Sequence, residues 1–379
     1  MQQDNIFDAA IIGGGLGGLT LSIKLAQQGK KVLLLEKETY PFHKVCGEYI
    51  SLESWDFIES CGIPLKEMNL PIISQLGISA PNGYYLQQNL DLGGFGISRY
   101  TLDTLLFNQA LKVGVVAHQN CKVTAVQFEQ NKFTISSSSG TFKSYYAFGA
   151  YGKKSNLDLQ LNRAFTQEIK QGKDNYIGVK YHIKTNFANN LIELHNFKDG
   201  YCGISKIDQE TYCLCYLTTQ ENLSKHGNQI KEMEAAVLYQ NPRLKKIFTE
   251  STIVYQKPLV ISQIRFEPKP LIEQHVIMLG DAAGLIAPLC GNGMSMAMRA
   301  ADILSKLFPL NCEDEQARAL FEENYRKAWH QNFSTRLRVG RLFQKLFGST
   351  QITWLVIMAL KPFPRLLKKI IASTHGKKF

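Results

Sequence analysis

Three glycines spaced Gly13-x-Gly15-x-x-Gly18 sit between two apolar runs, Phe7–Ile12 and Leu19–Gln28. That spacing suits one task, holding a pyrophosphate against backbone. Gly13 permits the tight turn out of a strand. Gly15 lets phosphate oxygens reach the chain, and Gly18 lets the next helix pack closely. Leu16 and Gly17 complete the loop and open the helix, whose free N–H groups and partial positive charge face the anion. A second apolar run, Val32–Leu35, ends in Glu36, which can accept ribose hydroxyls, with Lys37 beside it. Strand, glycines, helix, strand and terminal acid follow in the order a dinucleotide site requires. The competing reading is a glycine-rich structural turn.

A second group lies far along the chain. Val276–Leu279 reads as a buried strand ending in Gly280-Asp281-Ala282-Ala283-Gly284. Asp281 at a strand end can hold a polyol chain. The turn Gly291-Asn292-Gly293, with Met294 after it, brings backbone to the edge of a flat ring. The helix Gly293–Phe308 then aims its positive end at that ring and favours negative charge there. This segment resembles the ribityl-binding motif of glutathione-reductase-type flavoproteins, which implies FAD. An aspartate capping a helix is the plain alternative.

Over residues 6–310 the chain resembles the FAD-dependent superfamily of aromatic hydroxylases, flavin halogenases and geranylgeranyl reductases. The resemblance is carried by the glycine motif with Glu36, Arg99-x-x-Leu102-Asp103-x-x-Leu106, Gly149-x-x-Gly152-x-x-Ser155, and Gly280-Asp281-Ala282-Ala283-Gly284. It implies that Arg99 contacts the FAD phosphates and that Val123 lies against the adenine. Tyr40-Pro41-Phe42-His43-Lys44-Val45-Cys46-Gly47-Glu48 is similar to a stretch of geranylgeranyl reductases, with Phe42 in place of an arginine. There the cysteine lies near the flavin, so Cys46 becomes the candidate catalytic residue, tuning the ring or donating a proton. A small buried thiol beside a turn is the competing role. Hydroxylases carry aspartate where this chain has Tyr151, which argues against direct reduction by NADPH; NADPH and a separate electron carrier both stand as reductants. The tryptophan-rich halogenase motif is absent, since Trp55, Trp329 and Trp354 stand elsewhere.

The elements needed to position these residues imply an α/β fold. It combines a glutathione-reductase-type, Rossmann-like FAD-binding domain, an antiparallel β-sheet substrate domain and a C-terminal helical tail. The FAD-binding domain is expected in three pieces, 1–67, 93–156 and 267–312. The substrate domain takes 68–92 and 157–266, and a basic helical region takes 313–379. Thr101–Val113 and Glu232–Thr249 read as helices. Lys122–Phe128 and Lys132–Ser136 read as paired strands, and Tyr145–Gly149 as a short one. Lys37–Tyr100 reads mostly as loops and short pieces. Tyr176–Lys184, Leu191–Asn196, Tyr201–Ile207 and Thr211–Thr218 read as sheet strands, a wall over the flavin.

Composition narrows the function classes. Of 379 residues 45% are hydrophobic and 20% charged, which excludes a disordered chain. The net charge of +11 is local: after residue 323 there are twelve Lys and Arg and no acid, against 31 Lys and Arg and 32 Asp and Glu before. Such a tail, with Leu366, Leu367, Ile370 and Ile371 on one helical face and Arg365, Lys368 and Lys369 on another, fits an anionic membrane surface or docking on the body. Nucleic acid is not expected as a partner, since its binders spread such charge over a face. Eight cysteines without a Cys-x-x-Cys pair argue against a zinc site, and no metal is expected. Met1–Asn5 does not open a signal peptide, and a reduced, cytoplasmic setting is expected. His43, His182, His195 and His275 have no metal or triad spacing.

The expected activity is redox chemistry on a hydrophobic small molecule, a lipid, isoprenoid or polyketide. Reduction of an isolated double bond comes first, and hydroxylation of an aromatic or quinone-like ring second. A binding protein without FAD chemistry stands as the remote alternative.

Overall fold

A computed structural model of the chain describes residues 6–166, 175–286, 291–346 and 350–379; Met1–Asn5 and Cys290 fall outside them. The chain opens with β1 (Ile6–Ile12), α1 (Leu16–Gln27), β2 (Val32–Leu35), β3 (Tyr49–Ser51), α2 (Trp55–Ser60), β4 (Ile72–Ser79), β5 (Tyr85–Gly96) and α3 (Arg99–Lys112). Next come β6 (Val116–His118), β7 (Val123–Glu129), β8 (Lys132–Ser137), β9 (Gly140–Gly149) and α4 (Asn156–Gln160). The middle carries β10 (Tyr176–Lys184), β11 (Leu191–Phe197), β12 (Gly200–Asp208), β13 (Thr211–Thr219), α5 (Gln220–Ser224), α6 (Ile230–Val237), α7 (Pro242–Glu250), β14 (Thr252–Ile253) and β15 (Leu259–Ile264). It closes with β16 (Ile272–Glu273), β17 (Val276–Met278), α8 (Gly293–Leu307), α9 (Glu315–Leu346), α10 (Thr350–Leu360) and α11 (Pro364–Thr374).

β1, β2 and β17 are short, almost wholly apolar and buried on both faces, as a covered parallel sheet requires. They order as β17-β9-β1-β2-β6, all parallel, with β16 antiparallel at the edge. α1 packs between this sheet and α8 and α3, so it is apolar nearly all round. β9 is longer than the expected Tyr145–Gly149. Its amino half pairs antiparallel with β8, and its carboxyl half joins β1 and β17. The polar, partly exposed start Gly140–Ser144 hides this strand in the sequence.

The second sheet runs β14-β10-β13-β12-β11-β4-β5-β3, with β15 also on β10. β10 to β13 form the antiparallel run read from the sequence. β4 and β5 correct the reading of Lys37–Tyr100 as mostly loops and short pieces. They form a long hairpin that joins β11 in parallel. Their outer positions are polar (Gln75, Gln87, Asn89, Asp91), which masks the buried alternation. The expected helix Glu232–Thr249 is divided. Asn241 caps a new helix at Pro242, whose ring fits only a first turn. Met233, Val237, Leu238 and Leu244 pack on one face of the sheet against Tyr181, Tyr212, Leu214 and Tyr216.

The tail folds back on the body. α9 packs on α8, and Tyr325 Oη donates to the Met278 carbonyl at 2.8 Å. α10 and α11 lie against the second sheet, where Ile357 and Leu367 join Ala80 and Leu86. Leu366, expected on the same face as Leu367, is instead exposed: the docked face centres on Leu367, and Leu366 is turned to its margin. At the end of α11, Asn292 Nδ2 donates to the Thr374 carbonyl, and beyond it the Gly376 N–H donates to Glu53.

Candidate functional site

β2, β1, β9 and β17 end at one edge because they are parallel and in register, Leu35 and Gly149 flanking Ile12 and Met278 flanking Gly149. That edge collects the glycine loop, Glu36, Ala150–Tyr151 and Gly280–Asp281. A cavity of about 1130 Å³ runs from it to the second sheet. Gly13, Gly15, Leu16, Gly17, Glu36, Lys37, Cys46, Arg99, Val123, Gly280, Asp281, Gly291, Gly293 and Met294 all line it.

Gly18 lies outside the lining. A Cβ there would drive into the Gly13 carbonyl, as close helix–strand packing dictates. Gly13 has φ +107° and would place a Cβ 2.6 Å from the Ala150 carbonyl oxygen. Gly15 is different. Its φ of −81° suits any residue, and the nearest atom to a Cβ is 4.0 Å away. Protein packing does not demand glycine there; the volume above the helix N-terminus is empty and has the chemistry to take an anion.

Glu36 braces this loop as well as facing the cavity, accepting from the Gly14 N–H at 2.6 Å and the Glu38 N–H at 3.0 Å. Arg99 grips buried Asp103 through Nε at 2.7 Å and Nη2 at 2.8 Å. Lys44 Nζ adds a bond to Asp103 at 2.9 Å and reaches the Gly14 carbonyl at 3.3 Å. Burial pushes the Asp103 carboxyl up, and the Arg99 and Lys44 charges more than offset it, so it is held below its ordinary value. Tyr40 Oη also donates to the Gly14 carbonyl. Sequence reasoning did not assign Tyr40 or Lys44 to this loop, although both lie in the stretch flagged around Cys46.

Asp281 has no hydrogen-bond partner for its carboxylate among the described residues, and burial raises its proton affinity. Hydroxyl donors from a polyol would satisfy it. Nearby, burial lowers the Lys153 ammonium to about 8. Tyr151 is tied into a buried ion pair. Its Oη donates to Asp158 Oδ1 at 3.0 Å, and Arg163 Nη1 reaches the same oxygen at 2.8 Å. Arg163 Nη2 also donates to the Ala282 carbonyl at 3.0 Å, which joins this loop to the Asp281 turn. The cradle at Gly15, the cations Arg99 and Lys44 and the open carboxylate of Asp281 fit an FAD molecule laid along the edge.

Behind Cys46 lies a cluster that the sequence did not announce. Glu48 is fully buried at φ +54°, a left-handed conformation costly for a non-glycine residue. Its Oε1 accepts from Lys180 Nζ at 2.5 Å and from the Arg99 N–H at 2.8 Å, and its Oε2 from His182 Nε2 at 2.6 Å. His182 Nδ1 pairs with Tyr255 Oη at 3.1 Å, which pairs with His43 Nε2 at 3.0 Å. Lys180 also donates to the Lys44 carbonyl at 3.1 Å, and Cys213 Sγ to the Cys46 carbonyl at 3.2 Å. The cluster therefore fixes residues 44–48 against the cavity. Glu48, His182 and Cys213 place ligand-type atoms within 4.8 Å of one another, but the Lys180 ammonium already serves as the cation. Cys46 Sγ lies 3.5 Å from Met294 Sδ, and burial pushes its thiol up, which keeps it protonated at neutral pH.

Away from the edge the cavity turns apolar. Leu76, Ile78 and Leu86 of the β4–β5 hairpin, Ile192 and Leu194 of β11, and Ile357, Leu360, Leu367 and Ile370 of α10 and α11 line that end.

A covered parallel sheet with glycines and acids at its carboxyl edge, facing an antiparallel sheet across one cavity, defines a dinucleotide-dependent enzyme. The chain belongs to the FAD binding domain family, whose profile matches residues 7–331, and is an FAD-dependent oxidoreductase. It is 27% identical over 343 residues to "Conditioned medium factor receptor 1" of Dictyostelium discoideum, covering 80% of this chain and spanning 63% of that protein's length. It is 22% identical to a digeranylgeranylglycerophospholipid reductase of Methanococcus vannielii, over 90% of this chain and 87% of that one. Among solved structures, the flavin-dependent brominase Bmp2 superposes with a TM-score of 0.79 at 16% identity, over 98% of this chain and 93% of that one. No helix among the described residues is long and apolar enough to cross a membrane.

Proposed function

We propose that the chain reduces carbon–carbon double bonds in a long, apolar, isoprenoid-like lipid. The observation that carries this reading is the apolar end of the cavity, continuous with the Cys46–Met294 pair at the flavin end. A chain of unactivated double bonds could lie there without leaving any polar group unpaired. The digeranylgeranylglycerophospholipid reductase among the similar proteins agrees with it.

FAD held along the sheet edge would, when reduced, supply a hydride; the second hydrogen must then arrive as a proton. In this reading the protonated Cys46 thiol gives it, with water restoring the thiol afterwards; its contact with Met294 Sδ in the cavity lining supports the role. Glu48, Lys180 and His182 act as positioning residues, since their hydrogen bonds hold the 44–48 segment in place. α10 and α11 exclude water from the apolar end. Electrons reach the site from a separate carrier protein, the reading that Tyr151 favours over direct use of NADPH.

The test is anaerobic. Holoprotein reduced with dithionite is mixed with a geranylgeranyl lipid, and flavin absorbance and product mass are followed. Reoxidation with two hydrogens gained per double bond supports the reading. No anaerobic reoxidation, but an oxygen-dependent product carrying one added oxygen atom, replaces it with hydroxylation. Titration with NADPH before dithionite shows whether that nucleotide bleaches the flavin unaided. A Cys46→Ala protein is expected to keep its flavin and lose about 10²-fold in single-turnover reoxidation. An unchanged rate would assign the proton to water alone.

A further inference from the structure

We infer that α10 and α11 form a docking surface for an anionic lipid bilayer, and that the same two helices wall the apolar end of the cavity. The pair is amphipathic in an unusual sense. Its inner side, through Ile357, Leu360, Leu367 and Ile370, lines the cavity. Its outer side is also apolar. Ile352, Leu355 and Met358 recur at three-residue spacing along one face of α10, and Phe363 and Leu366 continue the stripe past the turn. These five side chains are 41–60% exposed, and none of them lines the cavity. Single exposed apolar residues are ordinary on a protein surface; a continuous stripe marks an interface.

Charge selects the occupant. Lys361, Arg365 and Lys369 border the stripe, and Arg365 and Lys369 form no ion pair among the described residues. No acidic residue follows Glu323 in the chain. An apolar stripe edged only by cations fits acyl chains below a layer of anionic headgroups. A second copy of this chain would need acids to meet those cations. α10 supplies none, and Asp91 beside α11 is already taken by Lys368 at 2.6 Å. The helices are too short to span, so the contact is interfacial. One layer of helix, α10 and α11, then separates the bilayer from the cavity, which gives an apolar substrate a short path from membrane to site. The inference rests on the outer face and goes beyond the reaction proposed above.

The test is vesicle flotation of the flavin-loaded protein. Probes are phosphatidylcholine vesicles with and without about one-third phosphatidylglycerol. Wild type is expected to float with the anionic vesicles and to stay behind with phosphatidylcholine alone. Leu355→Ser/Phe363→Ser/Leu366→Ser and, separately, Arg365→Glu/Lys369→Glu are each expected to lower partitioning about ten-fold or more while retaining the flavin spectrum. Wild type that stays off anionic vesicles overturns the inference, as do variants that float like wild type. A wild-type dimer that the triple variant dissociates, seen by light scattering, also overturns it and assigns the face to self-association. Flotation needs no substrate. Protein that floats yet reduces no lipid leaves this inference standing without the reductase reading, and active protein that does not float does the reverse.

Discussion

Glu48→Ala is expected to lose about 3–5 kcal/mol of stability, because it strands the Lys180 ammonium where water cannot reach. The carboxylate is fully buried and takes three hydrogen bonds, two of them from groups able to carry charge. Urea denaturation followed by flavin and tryptophan fluorescence measures the loss. Glu48→Gln/Lys180→Met removes both charges and keeps volume, so it should cost clearly less than the two single changes summed. Equal costs would mean that the pair is not coupled. The pH dependence has a definite sign. Burial raises the Glu48 carboxyl, but the His182 hydrogen bond and the Lys180 charge outweigh it and hold the carboxyl below its ordinary value. A group depressed in this way contributes stability above its unfolded pKa, and that contribution fades as pH falls through the folded value. The gap between wild type and Glu48→Gln should therefore be widest near neutrality and narrow below about pH 4.

The second large effect separates binding from folding. Gly15→Ala should leave the apoprotein as stable as wild type, within about 0.5 kcal/mol, because the backbone and the surrounding space accept a methyl group. The same methyl group projects into the cradle at the helix N-terminus, and FAD affinity should fall about 100-fold, roughly 2.7 kcal/mol. Titration of apoprotein with FAD, read by quenching of flavin fluorescence, gives the affinity. Thermal melts without FAD give the stability. Gly18→Ala provides the contrast, since its methyl group meets the Gly13 carbonyl and should destabilise the apoprotein itself. A Gly15→Ala protein with normal FAD affinity would move the pyrophosphate to another part of the edge.

The two predictions rest on features of very different visibility. The glycine loop is legible because strand, turn, helix and acid are contiguous, and each residue type answers a local need. Asp281 is legible for the same reason, as an acid at the end of a short apolar strand. The Glu48 cluster is not. Its members lie 132 and 134 residues apart, and only tertiary pairing joins them. One signal was present: Lys180 and His182 share a face within a strand, Tyr176–Lys184, that is otherwise apolar or aromatic up to its terminal lysine, where solvated residues would be out of place. The tail is the intermediate case. Its amphipathic pattern reads directly, but which apolar residues turn inward depends on how the helix docks, and Leu366 fell on the other side.

The position of β17 bears on how the protein is made. β9 lies between β1 and β17 in the finished sheet, yet β17 leaves the ribosome about 130 residues after β9. At typical synthesis rates of 5–20 residues per second, that gap lasts roughly 6–26 s. Throughout it, the apolar carboxyl half of β9, with Tyr146, Ala147 and Phe148, is an open strand edge able to pair with a neighbouring nascent chain. The same delay postpones the Asp281 turn and the amino end of α8. The carboxyl edge of the sheet is therefore complete only after the last third of the chain has begun to emerge.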